Sequence, residues 1–314
     1  MNKRRSAAGR WILGAVLSTV ALVLMLVLIY VEYYMPAGLR AKVRQSLRIG
    51  AGIVEQENCF YTHFIDVGQA DCTLLKYNSS VVLIDAGDID SFGVIGKYLD
   101  DLGVTEINYL ILTHMHTDHM GSADRILENY SVDNVLMTRV PEELIPTNEF
   151  YSRLLDTLEN YDGNIIEARA GDSYTLDGFS FTVLAPLGVY EELNNYSIVI
   201  KADSQGKSFL FMGDAEKQSE KDLIQSGADL KSDVLKVGHH GSSTSSRAAF
   251  VSAVSPKIAV ISCGRDNAYG HPNRSTLNNL GKTDAEVFRT DIDGNVVIEC
   301  KEGNLTVITE NSHE

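Results

Sequence analysis

The chain has 314 residues, of which 44% are hydrophobic, and a formal net charge of −15 at pH 7. Residues 1–50 hold 8 of the 27 basic and 1 of the 42 acidic residues, so the rest of the chain has 19 basic and 41 acidic residues and a net charge of −22. The length suits one domain of about 250 residues plus a short appendage. The charge argues against a broad basic face for binding a polyanion.

The first predicted element is an apolar helix at residues 11–31, WILGAVLSTVALVLMLVLIYV, which has 21 residues and no charge. At about 1.5 Å per residue it would span about 30 Å, the thickness of the hydrocarbon core of a bilayer. The apolar region of a cleaved signal peptide is shorter, about 7–15 residues, and ends at a small-residue cleavage site. The following VEYYMPAGLR offers no such site, so we predict a retained transmembrane anchor.

Basic residues flank this anchor on both sides in nearly equal number. The tail at residues 1–10 carries its basic residues close to the apolar segment, and Glu32 lies at the other end. Because basic residues favour the cytoplasmic side, we expect a cytoplasmic N-terminus in the cell membrane. A juxtamembrane connector at 32–57 would then lead to a domain at 58–314 outside the cytoplasm.

Residues 58–314 alternate short β-branched or apolar runs with helix-like stretches, and no proline- or serine-rich linker divides them. The predicted strands are 59–67, 80–87, 107–114, 133–139, 179–186, 196–202, 208–214, 233–240, 257–264 and 295–300. Helices are predicted in SFGVIGKYLDDLG, GSADRILENY, NEFYSRLLDTLENY, EKQSEKDLIQSG and RSTLNNLGK. The mixture predicts an α/β fold, a four-layer αβ/βα sandwich preceded by one transmembrane helix.

Four metal-binding side chains crowd the end of the predicted strand 107–114, in the sequence THMHTDHMGS. His114 and His116 alternate and would project to one side, whereas Asp118 and His119 turn at a helix entrance and would face a second point. Burying four such groups without a metal would leave several polar groups unpaired. We therefore predict two neighbouring divalent cations, with zinc preferred by these ligands and manganese or iron also compatible.

Two later strands end in a similar way. Asp214 closes SFLFMGD, where its carboxylate would bridge both metals. His239 and His240 close DVLKVGHH, and alternation along a strand would aim only one of them at the metals. The other would contact the substrate or pack locally, and the sequence leaves open which is which.

The four cysteines are Cys59, Cys72, Cys263 and Cys300. They show neither a C-x-x-C pair nor the spacing of a zinc ribbon. Disulfides and buried free thiols both remain open.

The ordered motifs IDAG, THMHTDHMGS, MGDAE and LKVGHHGSSTS resemble the metallo-β-lactamase superfamily. Within it, FIDVGQADCTLL, NNYSIVIKA, HHGSSTSS and YGHPNRSTL are similar to the β-lactamase-like domain of the ComEC/Rec2 competence proteins. The resemblance covers residues 59–300. It implies the αβ/βα sandwich with a metal site at the edges of the sheets.

The resemblance also implies a ligand set. The first metal would be bound by His114 and His116, the second by Asp118 and His119, with Asp214 as the bridge and one of His239 and His240 completing the second site. Asp85 in IDAG would be a buried carboxylate that orients a ligand histidine.

Further residues have two open roles each. Asp66, Gln69 and Asp71 would contact the site or shape a turn, and Asn194 or Asn195 would face the first metal or form a turn. Ser242, Ser243 and Thr244 would bind a phosphate or cap a helix. His271 would donate a proton or contact the substrate, or it would pack locally.

Two departures from the family pattern matter. No histidine occurs from residue 120 to residue 238, so the first metal would have two histidines, Asp214 and solvent, and should bind more weakly. All three histidines of the first motif are present, which favours catalysis. Competence proteins couple this domain to a multi-helix DNA channel, and with a single apolar segment we do not expect DNA import by this chain alone.

These observations predict a membrane-anchored, metal-dependent hydrolase of phosphodiesters, a nuclease in the first instance, without a nucleotide cofactor. Asp118 and His271 would serve catalysis, and a hydroxide that bridges the metals would be the nucleophile. One alternative is an esterase for choline-phosphate-type esters, which the negative charge favours. The other is a non-catalytic, metal-stabilised binding module for a separate membrane channel.

Overall fold

The computed structural model describes residues 55–311 together with Leu22, Val23, Met25 and Tyr30. These four residues of the predicted anchor are helical. Within the described part of the chain, no helix combines the length and the apolar character that crossing a membrane requires. The basic tail, the rest of the anchor and the connector up to residue 54 lie outside the described residues, so their predicted roles stay predictions.

The strands of residues 55–311 form two sheets. The first contains β1 (Phe60–Phe64), β2 (Thr73–Tyr77), β3 (Ser80–Ile84), β4 (Glu106–Leu112), β5 (Ser131–Met137), β6 (Asn164–Glu167), β14 (Val296–Lys301) and β15 (Asn304–Thr309). The second contains β7 (Ser173–Leu176), β8 (Phe179–Ala185), β9 (Val199–Ser204), β10 (Lys207–Phe211), β11 (Val234–Lys236), β12 (Ile258–Ile261) and β13 (Glu286–Arg289). Their orders are β15-β14-β1-β2-β3-β4-β5-β6 and β13-β12-β11-β10-β9-β8-β7.

Helices cover the outer face of each sheet. They are α1 (Phe92–Asp101), α2 (Thr117–Met120), α3 (Ala123–Asn129), α4 (Glu149–Glu159), α5 (Lys217–Ser226), α6 (Ala248–Val254), α7 (Arg274–Leu280) and α8 (Thr290–Asp293). Buried residues of α1, α3 and α4 pack on the first sheet, and those of α5, α6 and α7 pack on the second. The predicted four-layer αβ/βα sandwich is confirmed.

The apolar runs of the sequence reflect burial on both faces of the sheets. On β4, Leu110 and Leu112 face the helices, whereas Ile111 faces the second sheet. Between the sheets, the ring centroids of Phe60 and Phe209 lie 5.1 Å apart. Because successive strand residues point to opposite faces, a strand buried on both sides must be apolar throughout.

Each sheet is parallel over one half, from β3 to β6 in the first and from β10 to β13 in the second. The carboxyl ends of parallel strands share one edge of a sheet, which is where open α/β sheets bind ligands. The motifs predicted to bind metals follow β4, β10 and β11, and Asp85, predicted to orient a ligand histidine, follows β3. The topology therefore brings them to one edge of the sandwich.

The predicted strands differ from the structure in two respects. All ten predicted runs contain a strand, but β2, β6, β7, β13 and β15 are absent from the prediction. The run 233–240 is too long, since β11 ends at Lys236.

All four cysteines are buried free thiols, so the disulfide alternative is wrong.

Glu220 joins α5 to the segment that precedes α6. Its carboxylate is 2% exposed and accepts hydrogen bonds from the backbone N–H groups of Ser246 and Arg247. Burial raises the pKa of Glu220 from 4.5 to about 7, and the two hydrogen bonds only partly oppose this shift. Between pH 4.5 and about 7, Glu220 is therefore protonated in the folded protein but largely ionised in the unfolded chain.

Replacing Glu220 with glutamine is expected to remove a pH-dependent loss of stability. Because the folded pKa is raised, this contribution is present below pH 4.5 and is lost as the pH rises to about 7. The shift corresponds to about 3 kcal/mol. Urea unfolding at pH about 4.5 and about 7.5 should show that wild type loses about 3 kcal/mol more than the variant over this range. Identical pH dependence of the two proteins would contradict the assignment.

Candidate metal centre

The histidine-rich motif leaves β4 and turns into the short helix α2. β4 ends at Leu112, His114 follows two residues later, and His116 is the N-cap of α2. His114 and His119 are fully buried, with ring centroids 4.2 Å apart, and His114 Nε2 lies 2.9 Å from His116 Nδ1. Two ring nitrogens at this distance either share a proton or bind one cation.

Gly121, directly after α2, allows the loop that follows β3 to approach the motif. Its N–H lies 2.8 Å from Gly87 O and 2.7 Å from Thr117 O. A β-carbon at this position would lie 2.4 Å from Ile89 N and 2.5 Å from the carbonyl carbon of Asp88. Only glycine permits this contact between the two loops.

Replacing Gly121 with alanine is expected to lower the free energy of unfolding by about 1–3 kcal/mol, because the new methyl group overlaps backbone atoms that cannot rotate away. Urea unfolding in the presence of a chelator measures the change. Gly93→Ala in α1 is the matched control, since nothing lies within 4 Å of a β-carbon there. Equal losses of stability in the two variants would argue against the overlap.

Asp214 follows β10 and faces both parts of the motif. Its backbone N–H donates to Ser197 Oγ at 3.0 Å, and its side chain is 2% exposed. Oδ1 lies 3.2 Å from His119 Nε2, and Oδ2 lies 3.9 Å from His114 Nε2. One carboxylate thus reaches both sets of predicted ligands, as a bridging residue must.

His239 and His240 lie beyond the end of β11, and both have a φ of 51°, in the left-handed region. Their Nε2 atoms lie 3.6 Å and 3.8 Å, respectively, from Asp214 Oδ2. The strand alternation invoked in the prediction does not apply here, although among the described residues only His240 of the pair belongs to a group of converging ligand atoms. The strand has already ended, and two successive left-handed residues turn both rings towards Asp214. Such backbone strain in non-glycine residues is concentrated at functional sites.

The two rings differ in their surroundings. His240 is buried, its Nδ1 lies 3.0 Å from Ser262 O, and its Nε2 lies 3.2 Å from Asp118 Oδ2. A hydrogen bond from Nδ1 to a carbonyl oxygen leaves Nε2 free to bind a metal. The side chain of His239 is 21% exposed, and its Nδ1 lies 3.2 Å from Glu216 Oε1. This geometry favours His240 as the second-site ligand.

Asp85 holds His119 from the side away from Asp214. His119 Nδ1 donates to Asp85 Oδ2 at 2.7 Å. Thr113 donates its backbone N–H to Oδ1 at 2.8 Å and its hydroxyl to Oδ2 at 2.9 Å. Because Nδ1 is engaged, His119 presents Nε2 to Asp214. These are the contacts of a carboxylate that orients a ligand histidine.

Two carboxylates of the site, those of Asp214 and Asp118, have lowered pKa values. Burial opposes the charge of Asp214, but His119 and His240 hold its pKa well below its usual range. Burial also opposes the charge of Asp118, and the hydrogen bond with His240 and the charge of His119 lower its pKa below its usual range. Burial lowers the pKa of His114, so this ring is neutral and able to bind a cation.

Two groups of side chains fit divalent metals. The first is His114, His116 and Asp214, and the second is Asp71, His119, Asp214 and His240; within each group the ligand atoms lie within 4.8 Å of one another. In the described part of the chain, the buried atoms His119 Nε2 and Asp214 Oδ1 make no hydrogen bond. Imidazole nitrogens and carboxylate oxygens suit divalent cations. The residues therefore fit two adjacent metal ions that share Asp214.

Residues 65–265 match the metallo-β-lactamase superfamily. The chain belongs to this superfamily. ComE operon protein 3 of Bacillus subtilis is 31% identical over 258 residues, which cover 76% of this chain and 32% of that protein. Recombination protein 2 of Haemophilus influenzae is 32% identical over 249 residues, which cover 77% of this chain and 29% of that protein. The ComEC/Rec2 resemblance is confirmed, and the chain spans about a third of the length of the curated relatives that it matches.

A solved structure with the same fold is Igni18, a metallo hydrolase from Ignicoccus hospitalis. The TM-score is 0.52 at 16% identity, and the likeness covers 77% of this chain and 100% of that one. At this identity the likeness concerns the fold alone. Membership of the metallo-β-lactamase superfamily and the cluster of His and Asp residues together support a metal-dependent hydrolase.

A cavity of about 500 Å³ opens onto the two metal-binding groups. On its outer side, His271 Nδ1 lies 3.5 Å from Gln69 Nε2. Tyr269 is 73% exposed and stacks on His271, with ring centroids 5.6 Å apart. Burial and the neighbouring His239 and His240 lower the pKa of His271 to about 4, so its ring is neutral near pH 7.

Three predicted site residues make hydrogen bonds outside the metal-binding groups. Asp66 Oδ1 accepts a hydrogen bond from the backbone N–H two residues further on at 3.1 Å. Asn195 Oδ1 accepts from Ser219 N at 3.1 Å, and Ser242 Oγ lies 3.0 Å from Thr244 Oγ1. None of the three belongs to either metal-binding group of the described residues. The contact of Asp66 supports its turn alternative, whereas Asn195 bonds to the first turn of α5 and Ser242 bonds within its own loop.

Sequence reasoning misses two residues beside the site, Glu216 and Lys236. Glu216 faces His239 and also accepts a hydrogen bond from Thr244 Oγ1 at 2.8 Å. Lys236 is 3% exposed and contacts Asp71 at 2.8 Å. The sequence does contain a signal for Lys236, since it is a lysine within the apolar strand DVLKV. A buried ammonium group needs a carboxylate partner, so this lysine predicts a buried ion pair.

Proposed function

We propose that this chain is a metal-dependent phosphodiesterase of nuclease type, held in the cell membrane by residues 11–31 with its domain outside the cytoplasm. The observation that carries the proposal is the presence of Asp214 in both metal-binding groups. A pair of divalent ions shared by one carboxylate, zinc in the first instance and manganese as the alternative, supplies Lewis-acid chemistry at a phosphoryl oxygen and lowers the pKa of bound water.

The side chains divide the work of binding and orientation. His114, His116 and Asp214 hold one cation, and His119, His240 and Asp214 hold the other, with Asp118 contacting His240. Asp85 fixes the ring of His119. The ring of His271 faces the cavity, where it can contact a substrate; with a pKa of about 4 it is almost entirely unprotonated at neutral pH, so the imidazolium form that would act as a general acid is scarce.

Two features bear on the substrate. The similarity to Recombination protein 2 supports a nucleic-acid phosphodiester. The net charge of −22 outside residues 1–50 disfavours long duplexes and favours small substrates, such as a choline-phosphate ester. The exposed ring of Tyr269 at the cavity suits both substrate classes, since an aromatic face can stack on a nucleic-acid base and can also attract the quaternary ammonium ion of a choline ester.

The test is hydrolysis by the full-length protein purified in detergent and loaded with zinc or manganese. Bis(p-nitrophenyl) phosphate reports general activity, and single-stranded DNA, double-stranded DNA and a choline-phosphate ester define the substrate class. We expect turnover of the general substrate and a preference for single-stranded over double-stranded DNA. Failure to hydrolyse any phosphodiester with both metals bound would refute the proposed reaction.

A non-catalytic binding module is the second candidate, and one observation favours it. Among the residues that the structure describes, the first metal-binding group consists of three side chains, His114, His116 and Asp214. Three side chains bind a cation less tightly than four, so this position could stay empty at physiological metal concentrations. One tightly held metal without turnover is the result that this second candidate predicts.

The proposed orientation is tested by protease treatment of intact cells. Cleavage of the domain before lysis is expected if the N-terminus is cytoplasmic and the domain lies outside. Cleavage only after lysis would reverse the assignment.

A further inference from the structure

On the basis of the metal centre proposed above, we propose that Asp71 is an additional ligand of the metal held by His119, His240 and Asp214, with Lys236 as its buried counterion. Neither superfamily membership nor the histidine-rich motif assigns Asp71 this role. The inference concerns metal binding, so it can be tested without any measurement of catalysis.

The position of Asp71 is fixed by backbone contacts to two motifs of the site. Its N–H donates to Asp118 O at 3.0 Å, and its carbonyl oxygen accepts from Gly87 N at 2.9 Å. The residue is 3% exposed. These bonds tie the backbone of Asp71 to the histidine-rich motif on one side and to the loop after β3 on the other.

The carboxylate of Asp71 points into the same small volume as three proposed ligands. Its ligand atom and those of His119, Asp214 and His240 all lie within 4.8 Å of one another, and all four residues are buried. Three atoms of this group, Asp71 Oδ1, His119 Nε2 and Asp214 Oδ1, make no hydrogen bond within the described residues. Asp71 Oδ1 has the ammonium group of Lys236 at 2.8 Å, and His119 Nε2 lies 3.2 Å from Asp214 Oδ1. It is therefore the convergence of four buried ligand side chains that fits a cation.

Lys236 explains how a further carboxylate is tolerated there. Its Nζ donates to Asp71 Oδ2 at 2.8 Å and to Val237 O at 3.3 Å, and lies 2.8 Å from Asp71 Oδ1 without a directed hydrogen bond. The lysine is 3% exposed in the middle of the second sheet. A carboxylate has about four lone-pair directions, so Asp71 can face an ammonium group and a metal at once.

Asp118, the carboxylate that the sequence pairs with His119, has a different setting. Its side chain is 32% exposed, and it contacts His240 Nε2 from the side of the cavity. It belongs to neither group of converging ligand atoms. Asp71 therefore offers the second metal a buried carboxylate on the interior side, opposite the open side from which a substrate would approach.

A purely structural ion pair between Asp71 and Lys236 is the competing explanation, and a double variant separates the two. Asp71→Asn alone leaves an unpaired buried ammonium group and is expected to weaken the fold. Asp71→Asn combined with Lys236→Met removes both charges, which restores folding if the pair is only structural. Under the ligand hypothesis the double variant folds and still lacks the anionic carboxylate ligand, because the amide of asparagine is a neutral and weaker ligand.

The experiment measures zinc and manganese bound to full-length wild type, Asp71→Asn, the double variant and Asp66→Asn, by elemental analysis over a series of chelator concentrations. Thermal melting followed by circular dichroism verifies folding. Wild type and Asp66→Asn, the control from the same loop, should bind two equivalents. The folded double variant should retain the first metal and bind the second at least about tenfold more weakly.

Wild-type affinity for both metals in the double variant would overturn the assignment, as would a wild-type protein that binds fewer than two. The outcome is independent of the proposed reaction. A protein that needs Asp71 for its second metal yet hydrolyses no phosphodiester would refute the proposed function and leave the ligand assignment standing.

Discussion

Replacing Asp214 with alanine is expected to remove at least one metal ion and to lower hydrolysis of a phosphodiester by about 10³-fold or more, equivalent to about 4 kcal/mol of transition-state stabilisation. The effect is large because the carboxylate faces both groups of ligands, with Oδ1 3.2 Å from His119 and Oδ2 3.9 Å from His114. Elemental analysis and the rate with bis(p-nitrophenyl) phosphate measure the two effects together.

Asp222→Ala is the matched control for this substitution. Asp222 lies on α5 and contacts Tyr190 Oη at 3.1 Å, outside both metal-binding groups. It should keep two metals and full activity. An Asp214→Ala protein that still binds both metals and turns over would show that the shared carboxylate is not the centre of the site.

Replacing Asp85 with alanine is expected to destabilise the metal-free protein by about 3–5 kcal/mol, because it breaks a buried charged contact from one side only. The substitution leaves His119 Nδ1 and both donors of Thr113 without their acceptor. It also places alanine at a φ of 62°, which an asparagine tolerates better. Urea unfolding in the presence of a chelator measures this loss.

The same substitution should weaken metal binding by about 10–100-fold, because the ring of His119 is no longer oriented. Asp85→Asn is the matched variant, since it keeps the shape and one acceptor for Thr113. It should retain most of the stability while showing a clear part of the loss in metal affinity. If Asp85→Ala binds metal as tightly as wild type, the orienting role is wrong.

The architecture could be predicted from the sequence because both sheets are buried on both faces. Runs such as INYLILTH need apolar residues on the helix side and on the inter-sheet side, so they stand out as strands. β7 and β15 escaped the same reasoning because they are edge strands, with residues exposed or only partly buried. Their sequences, SYTL and NLTVIT, lack the continuous apolar character of a central strand.

The metal centre was predictable where ligands follow a strand directly, as His114 and Asp214 do. The orientation of His239 and His240 was not predictable, because both residues have left-handed backbone conformations that the alternation of side chains along a strand does not describe. The contacts of Glu216 and Lys236 depend on how distant strands and loops meet. Asp71 and Lys236, for example, are 165 positions apart in the chain.

The most direct test of the central claim is a titration of metal-free, full-length protein with zinc or manganese, in which hydrolysis of bis(p-nitrophenyl) phosphate is followed after each addition. Two adjacent ions that share Asp214 predict that activity rises chiefly with the second equivalent and is absent in Asp214→Ala. Full activity after one equivalent, or no activity after two, would contradict a phosphodiesterase with a two-metal centre.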